Sequence, residues 1–184
     1  MILYDSIMNM KEDHFLLRGF TLIEILVVIA IIGILASVVL TSLDSARAKA
    51  ETISVISEID GLKKAMEILY QDTLYYPNAT PSFCRTVLPV NNEIDLNATS
   101  SGLTANGLGW LNWNGPYIQN AIDIWDTSYY LDEDYDCTAA VEGCKGETIS
   151  NISVIVSCGP DRDNSGTGGS CAYNDDNIVV RLCD

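Results

Sequence analysis

Arg18-Gly19-Phe20-Thr21-Leu22-Ile23-Glu24 opens a stretch that stays apolar over residues 25–40, interrupted only by Gly33 and Ser37. That run holds no Lys, Arg, Asp or Pro. Residues 20–40 number 21, and about 20 helical residues cross the apolar core of a bilayer. The pattern therefore predicts a membrane-spanning helix near the N-terminus. Glu24 does not fit it. A carboxylate inside such a span costs several kcal/mol unless a partner answers it, so an ionisable residue there points to a function. The partner must be a cation, and the apolar run supplies none.

A free amine would be such a cation. Cutting the chain after Gly19 would place a charged N-terminus on Phe20, four residues before Glu24. The amine of one subunit could then pair with Glu24 of the next. The stretch from Arg18 through Glu24, continuing Ile25-Leu26-Val27-Val28-Ile29, resembles the class III signal of type IV pilins and type II secretion pseudopilins. The resemblance implies cleavage between Gly19 and Phe20 by a prepilin peptidase, N-methylation of Phe20, and use of Glu24 in assembly. It also implies a homopolymer built through N-terminal helices, with an inner-membrane assembly platform and minor pilins as partners. The plainer alternative is a signal anchor in which Glu24 is protonated or reaches the interface.

Composition agrees with an exported head. The formal charge is −15. From residue 81 onward four basic residues (Arg85, Lys145, Arg162, Arg181) face 15 acidic ones, a net of −11. Binding to a phosphate backbone runs on Lys and Arg, so nucleic acid is not an expected direct partner. An acidic surface favours solubility and cationic ligands. All six cysteines follow the helix: Cys84, Cys137, Cys144, Cys158, Cys171 and Cys183. An even count confined to the exported part reads as a disulfide framework of an oxidising compartment, and six cysteines allow 15 pairings. Cys137–Cys144 would close a short acidic loop, and Cys158–Cys171 a glycine-rich one.

Three segments follow. Residues 1–19 read as a leader, removed rather than folded, with Met8 or Met10 as alternative starts. Residues 20–76 read as one long helix, membrane-spanning in its first half. Beyond Leu40 its apolar stripe runs through Leu43, Ala46, Ala50, Ile53, Ile56 or Ser57, Leu62, Met66 and Leu69 at helical spacing. Pro77 ends it. No Pro interrupts it near Thr41, where pilins often carry one. Residues 77–184 read as a globular head. Residues 78–114 look like loops with a short helix near 99–108, and Trp110, Trp113 and Trp125 read as core. A strand pattern begins at Asp123-Ile124-Trp125-Asp126 with Tyr129 and Tyr130; residues 149–156 and 178–182 give two more strands. Asp132-Glu133-Asp134-Tyr135-Asp136 reads as a solvated acidic loop. The predicted fold class is α+β: a long transmembrane and amphipathic helix packed on a small antiparallel sheet, with a loop-rich C-terminal region, as in pilins.

The head also resembles the major pseudopilin of type II secretion. The matching pieces are Gly115-Pro116-Tyr117-Ile118, Asp123-x-Trp125 with Tyr129, Ser157-x-Gly159-Pro160-Asp161, Gly168-Gly169 and Asp176 before Ile178. Two of the four positions of that family's Asp-Pro-Trp-Gly differ here, in Asp123-Ile124-Trp125-Asp126. In Asp161-Arg162-Asp163-Asn164-Ser165-Gly166-Thr167, oxygen side chains at alternate positions followed by glycine copy the first half of a calcium loop. Calcium takes six to eight oxygens. Asp161, Asp163, Ser165 and the Thr167 carbonyl are candidate ligands. Ala172 stands where a bidentate Glu would, leaving Asp175 and Asp176 as substitutes. The resemblance separately implies calcium at Asp161, Asp175 and Asp176. A solvated Asp/Asn/Ser/Gly turn is the competing reading.

An enzyme is not expected. The only histidine, His14, is in the leader, and no nucleophile motif is present. The sequence points to a filament subunit anchored in the cytoplasmic membrane, then periplasmic or at the cell surface. It belongs either to a type II secretion pseudopilus or to a type IV pilus for adhesion or DNA uptake. The reading from another class is a membrane-anchored, calcium-binding ectodomain that does not polymerise.

Overall fold

The computed structural model describes residues 19–77, 82, 93–163, 165–166, 171–172 and 174–183. Most of the predicted leader, together with Cys84 and Thr167, lies outside them. The chain divides into two compact units, Met1–Ser45 and Ala46–Asp184. One helix, α1 (Leu22–Thr73), enters both.

In the first unit α1 buries nothing. Its large apolar side chains from Leu22 to Leu40 are all roughly half exposed or more, with Leu22 at 90%. A soluble monomer rarely shows a contiguous apolar patch beyond a few hundred Å², so this surface requires lipid or other chains around it. The polar groups inside it are satisfied within the helix: the Ser37 hydroxyl donates to the Ile34 carbonyl at 2.7 Å and Ser42 to Val39 at 2.9 Å. The helix passes Thr41 unbroken, as the absence of Pro allows.

In the second unit α1 turns amphipathic. Val55, Ile59, Leu62, Met66 and Leu69 are buried, at spacings of four, three, four and three that keep one face inward. Ile53, expected in this stripe, is 67% exposed; the inward face is set by Val55 and Ile59. The helix stops at Thr73, ahead of the expected Tyr76. Leu74 takes a left-handed φ of 63° and its N–H donates to the Tyr70 carbonyl at 2.8 Å, a C-terminal cap that ends the helix before Pro77 can.

Among the described residues four antiparallel strands follow in the order β1 (Ile94–Asp95), β2 (Tyr130–Cys137), β3 (Ile149–Ser157) and β4 (Ile178–Arg181). The sequence predicted three. The two-residue β1, which pairs Ile94 with Leu131, is too short to show a period. The helix expected near 99–108 is a single 3-10 turn, Thr99–Ser101, stopped by Gly102 at φ 78°. The strand expected at Asp123 is a turn instead. Asp123 accepts the Trp125 and Thr127 N–H groups, both at 3.0 Å, and its other oxygen accepts the Ser157 hydroxyl at 2.6 Å. Asp126 is left-handed at φ 68°, which breaks an extended run.

The acidic segment expected as a solvated loop lies inside β2, where Asp132 and Glu133 are each 1% exposed. The β2–β3 register slips between Asp132 and Tyr135. That bulge interrupts simple alternation and lets neighbouring acids turn inward.

The sheet carries a core on each face. Ile155, Leu131 and Ile178 pack with α1, while Val154, Val156 and Val179 pack with Tyr135 and four cysteines on the other side. A strand buried on both faces reads as continuous Val/Ile, as β3 does. Trp110, Trp113 and Trp125 are partly buried against the helix-facing core. Cys137 pairs with Cys144 and Cys158 with Cys171, at Cα separations of 5.6 and 4.9 Å. Cys183 is disulfide-bonded as well.

Candidate functional site

Two places answer to the chemistry expected from the sequence. The first is the start of α1. Thr21 is the N-cap residue, its carbonyl accepting the Ile25 N–H at 3.4 Å. Its hydroxyl accepts the Glu24 N–H at 3.2 Å. The Glu24 carboxylate returns the contact, accepting the Thr21 N–H and hydroxyl, both at 2.9 Å. This reciprocal arrangement is a capping box. Its signal, Thr21-x-x-Glu24, stood in the sequence but was masked there by the stronger apolar pattern. The carboxylate is thus already turned toward the N-terminal end of the helix, where its charge also suits the helix dipole. Phe20, next before the cap, is 83% exposed, and nothing crowds Gly19.

The second place is the loop that leaves β3. The Asp161 carboxylate accepts the Asp163 N–H at 2.8 Å and, on its other oxygen, the Asn174 side-chain amide at 2.9 Å. The Asp161 N–H donates to the Asp176 carboxylate at 3.2 Å. Gly159 is left-handed at φ 77°, and a Cβ there would overlap the Asp176 carbonyl. Asp161 and Asp176 are therefore brought together by backbone that only glycine permits at this point. Burial, followed by the neighbouring Asp161 charge, pushes the Asp176 carboxyl above the usual carboxylate range.

The other predicted ligands are placed differently. Asp163 accepts the Ser165 N–H at 2.9 Å, and Ser165 holds its carboxyl below the usual range. Asp175 lines a small cleft with Tyr135, Asp136, Thr138 and Asn174. Among the described residues no group of three or more His, Cys, Asp or Glu side chains is arranged to hold a metal. The donor set is nonetheless all oxygen. The Asn174 Oδ1, which the sequence did not reveal, is buried with no hydrogen-bond partner, on an amide whose nitrogen faces Asp161. Two neighbouring carboxylates are oxygen ligands of the kind a hard divalent cation takes.

The comparisons bear on the first place. Residues 18–40 match the prokaryotic N-terminal methylation motif. The chain is 45% identical over 60 residues to type II secretion system core protein G of Escherichia coli K12, covering 33% of this chain and 41% of that one. It is 47% identical over 60 residues to the core protein G of Klebsiella michiganensis, covering 33% and 42%. It is also 32% identical over 98 residues to fimbrial protein Q of Moraxella bovis, covering 53% and 59%. The chain thus spans about two fifths of the length of the core G proteins it matches. No solved structure matches it. In its N-terminal third the chain is thus similar to proteins with the prokaryotic N-terminal methylation motif, among them type II secretion core G proteins and a fimbrial protein.

Proposed function

We propose that this chain is a structural subunit of a type IV pilus-like filament or a type II secretion pseudopilus. The carrying observation is an apolar helical stretch, residues 22–40, left uncovered and headed by a carboxylate turned toward the methylation-motif junction. On this reading a prepilin peptidase cuts between Gly19 and Phe20, and Phe20 is methylated. The protein waits in the cytoplasmic membrane through α1. It then assembles with copies of itself, on a membrane platform and with minor pilins, when the Phe20 amine of one subunit meets Glu24 of the next. The subunit works by packing rather than by catalysis.

Mass spectrometry of the natural N-terminus tests the first step. A methylated Phe20 terminus is expected, and retention of residues 1–19 would overturn the reading. Replacing Glu24 by Ala should abolish sheared filaments while leaving the protein in the membrane. A non-polymerising anchored ectodomain would be indifferent to that change. The longer match to a fimbrial protein favours a surface pilus, and the higher identity to core protein G a secretion filament.

The reading includes calcium at the loop after β3. Asp161 and Asp176 would hold it. The cation would supply positive charge to carboxylates that otherwise repel each other across the loop.

A further inference from the structure

Residues 96–122, 27 in all, contain no Asp, Glu, Lys, Arg or His. The chain is 19% charged, so the run is a break in composition. From residue 81 onward the net charge is −11, and heads of one sign hold each other apart. This run is where two heads can touch without that cost. Trp110, Trp113 and Tyr117 lie in it, and the cores of protein interfaces are likewise poor in charge and rich in aromatic residues.

The run supplies both a projection and a recess. Leu111 is 87% exposed and Leu108, in the same loop, 43%. One exposed leucine alone would mean little, but this loop is tied down. The Asn106 amide donates to the Trp110 carbonyl at 3.0 Å and accepts the Trp110 N–H at 2.7 Å. The Trp113 Nε1–H donates to the Gly102 carbonyl at 2.7 Å. Trp110 stacks on Tyr75 with ring centres 6.3 Å apart. The recess is a groove of about 390 Å³ lined by Gly61 and Leu62 of α1 and by Ile118, Ala121 and Ile122. Glu58, the charged residue among those lining it, accepts the Tyr129 phenol at 2.7 Å. Gly61 is exposed in mid-helix, and a Cβ there would meet nothing within 4 Å. Glycine weakens a helix interior, and no contact within the chain calls for it at this position. What it does is keep the groove open beside the helix backbone.

We propose that the heads of successive subunits dock through this uncharged surface, with Leu111 of one copy seated in the groove beside Gly61 of the next. The inference rests on the filament reading and adds a contact between heads to the assembly made by α1. Projection and recess are different patches, so each head uses both and the contact is heterologous, the kind that builds an open helical series. A basic partner would select the acidic surface instead. An uncharged recess suits an uncharged projection, and this chain carries the two together.

Thiol cross-linking in filaments sheared from cells making the full chain tests it. No described cysteine is free, so introduced thiols are the ones that react. Asn120 is exposed at the groove and leaves Gly61 intact when replaced. Filaments of Leu111→Cys/Asn120→Cys treated with a short bismaleimide should give a ladder of multimers, and neither single variant should. Filaments without the ladder overturn the proposal. So does a dimer from Leu111→Cys alone, which marks a symmetric contact, or a cross-link to a different protein. Adding Gly61→Leu should remove the ladder without lowering the melting temperature of the head, and a ladder that survives it overturns the seat. Leu111→Asp should cut the filament yield about tenfold or more at an unchanged melting temperature, and a parental yield would count against the proposal. Failure of the parent chain to form filaments removes the filament reading and this inference with it. Parental filaments with no ladder from the double variant remove only this inference.

Discussion

The phenol of Tyr129 donates to the Glu58 carboxylate at 2.7 Å, bridging 71 positions of chain and joining the entrance of β2 to α1. Tyr129 is 2% exposed. Burial, then the bond to Glu58 and its charge, push the phenol far above its ordinary range. The unfolded chain releases this proton near pH 10 and the folded chain keeps it. The native state therefore binds more protons above that pH, and stability falls as pH rises through it. Urea unfolding between pH 8 and 11 should show that loss. Tyr129→Phe should flatten it, at a cost of about 1 kcal/mol at neutral pH.

The capping box separates two roles of Glu24. Gln can serve the cap as Glu does but carries no charge. If charge drives assembly, Glu24→Gln should fail to form filaments as fully as Glu24→Ala. Filaments formed at parental yield by the Gln variant would show that the cap alone suffices.

The helix-facing core predicts where stability is concentrated. Ile59 and Leu69 are fully buried, so replacing either by Ala should cost about 2–5 kcal/mol. Ile53, pointing outward, should tolerate Ala within about 0.5 kcal/mol. Thermal melts of the three variants check the contrast.

Gly159→Ala should be severe, because the new Cβ meets backbone, the Asp176 carbonyl, at a left-handed position. A loss of about 1–3 kcal/mol is expected, with weaker calcium binding.

Calcium itself should raise the melting temperature of the oxidised parent, and Asp161→Ala should abolish that rise. A folded, oxidised protein indifferent to millimolar calcium would sink the calcium reading.

Much of this was legible in the sequence. The long apolar run, the Val/Ile patterns of β3 and β4, and both disulfide loops stand out because each depends on local composition. What escaped depends on remote partners. Asp132 and Glu133 look solvated until β3 and the bulge bury them. Asp123 reads as the start of a strand until its carboxylate is seen gathering two N–H groups and Ser157. Helical spacing pointed to Ile53; contact with the sheet chose Val55 and Ile59 instead. Asn174 carries no sequence signal, since its role follows from a bond across 13 residues.

The Cys137–Cys144 and Cys158–Cys171 cystines lie on the face of the sheet turned away from α1, and among the described residues the buried helix-facing core holds no cysteine. The outer core of the head therefore depends on these two cross-links in a way the buried helix-facing core does not. The inner half can condense as soon as helix and strands meet. The outer half waits for an oxidant, so a newly made head in a thiol-rich setting has a finished interior on one side only. Protease nicking should begin on the strand-and-loop side.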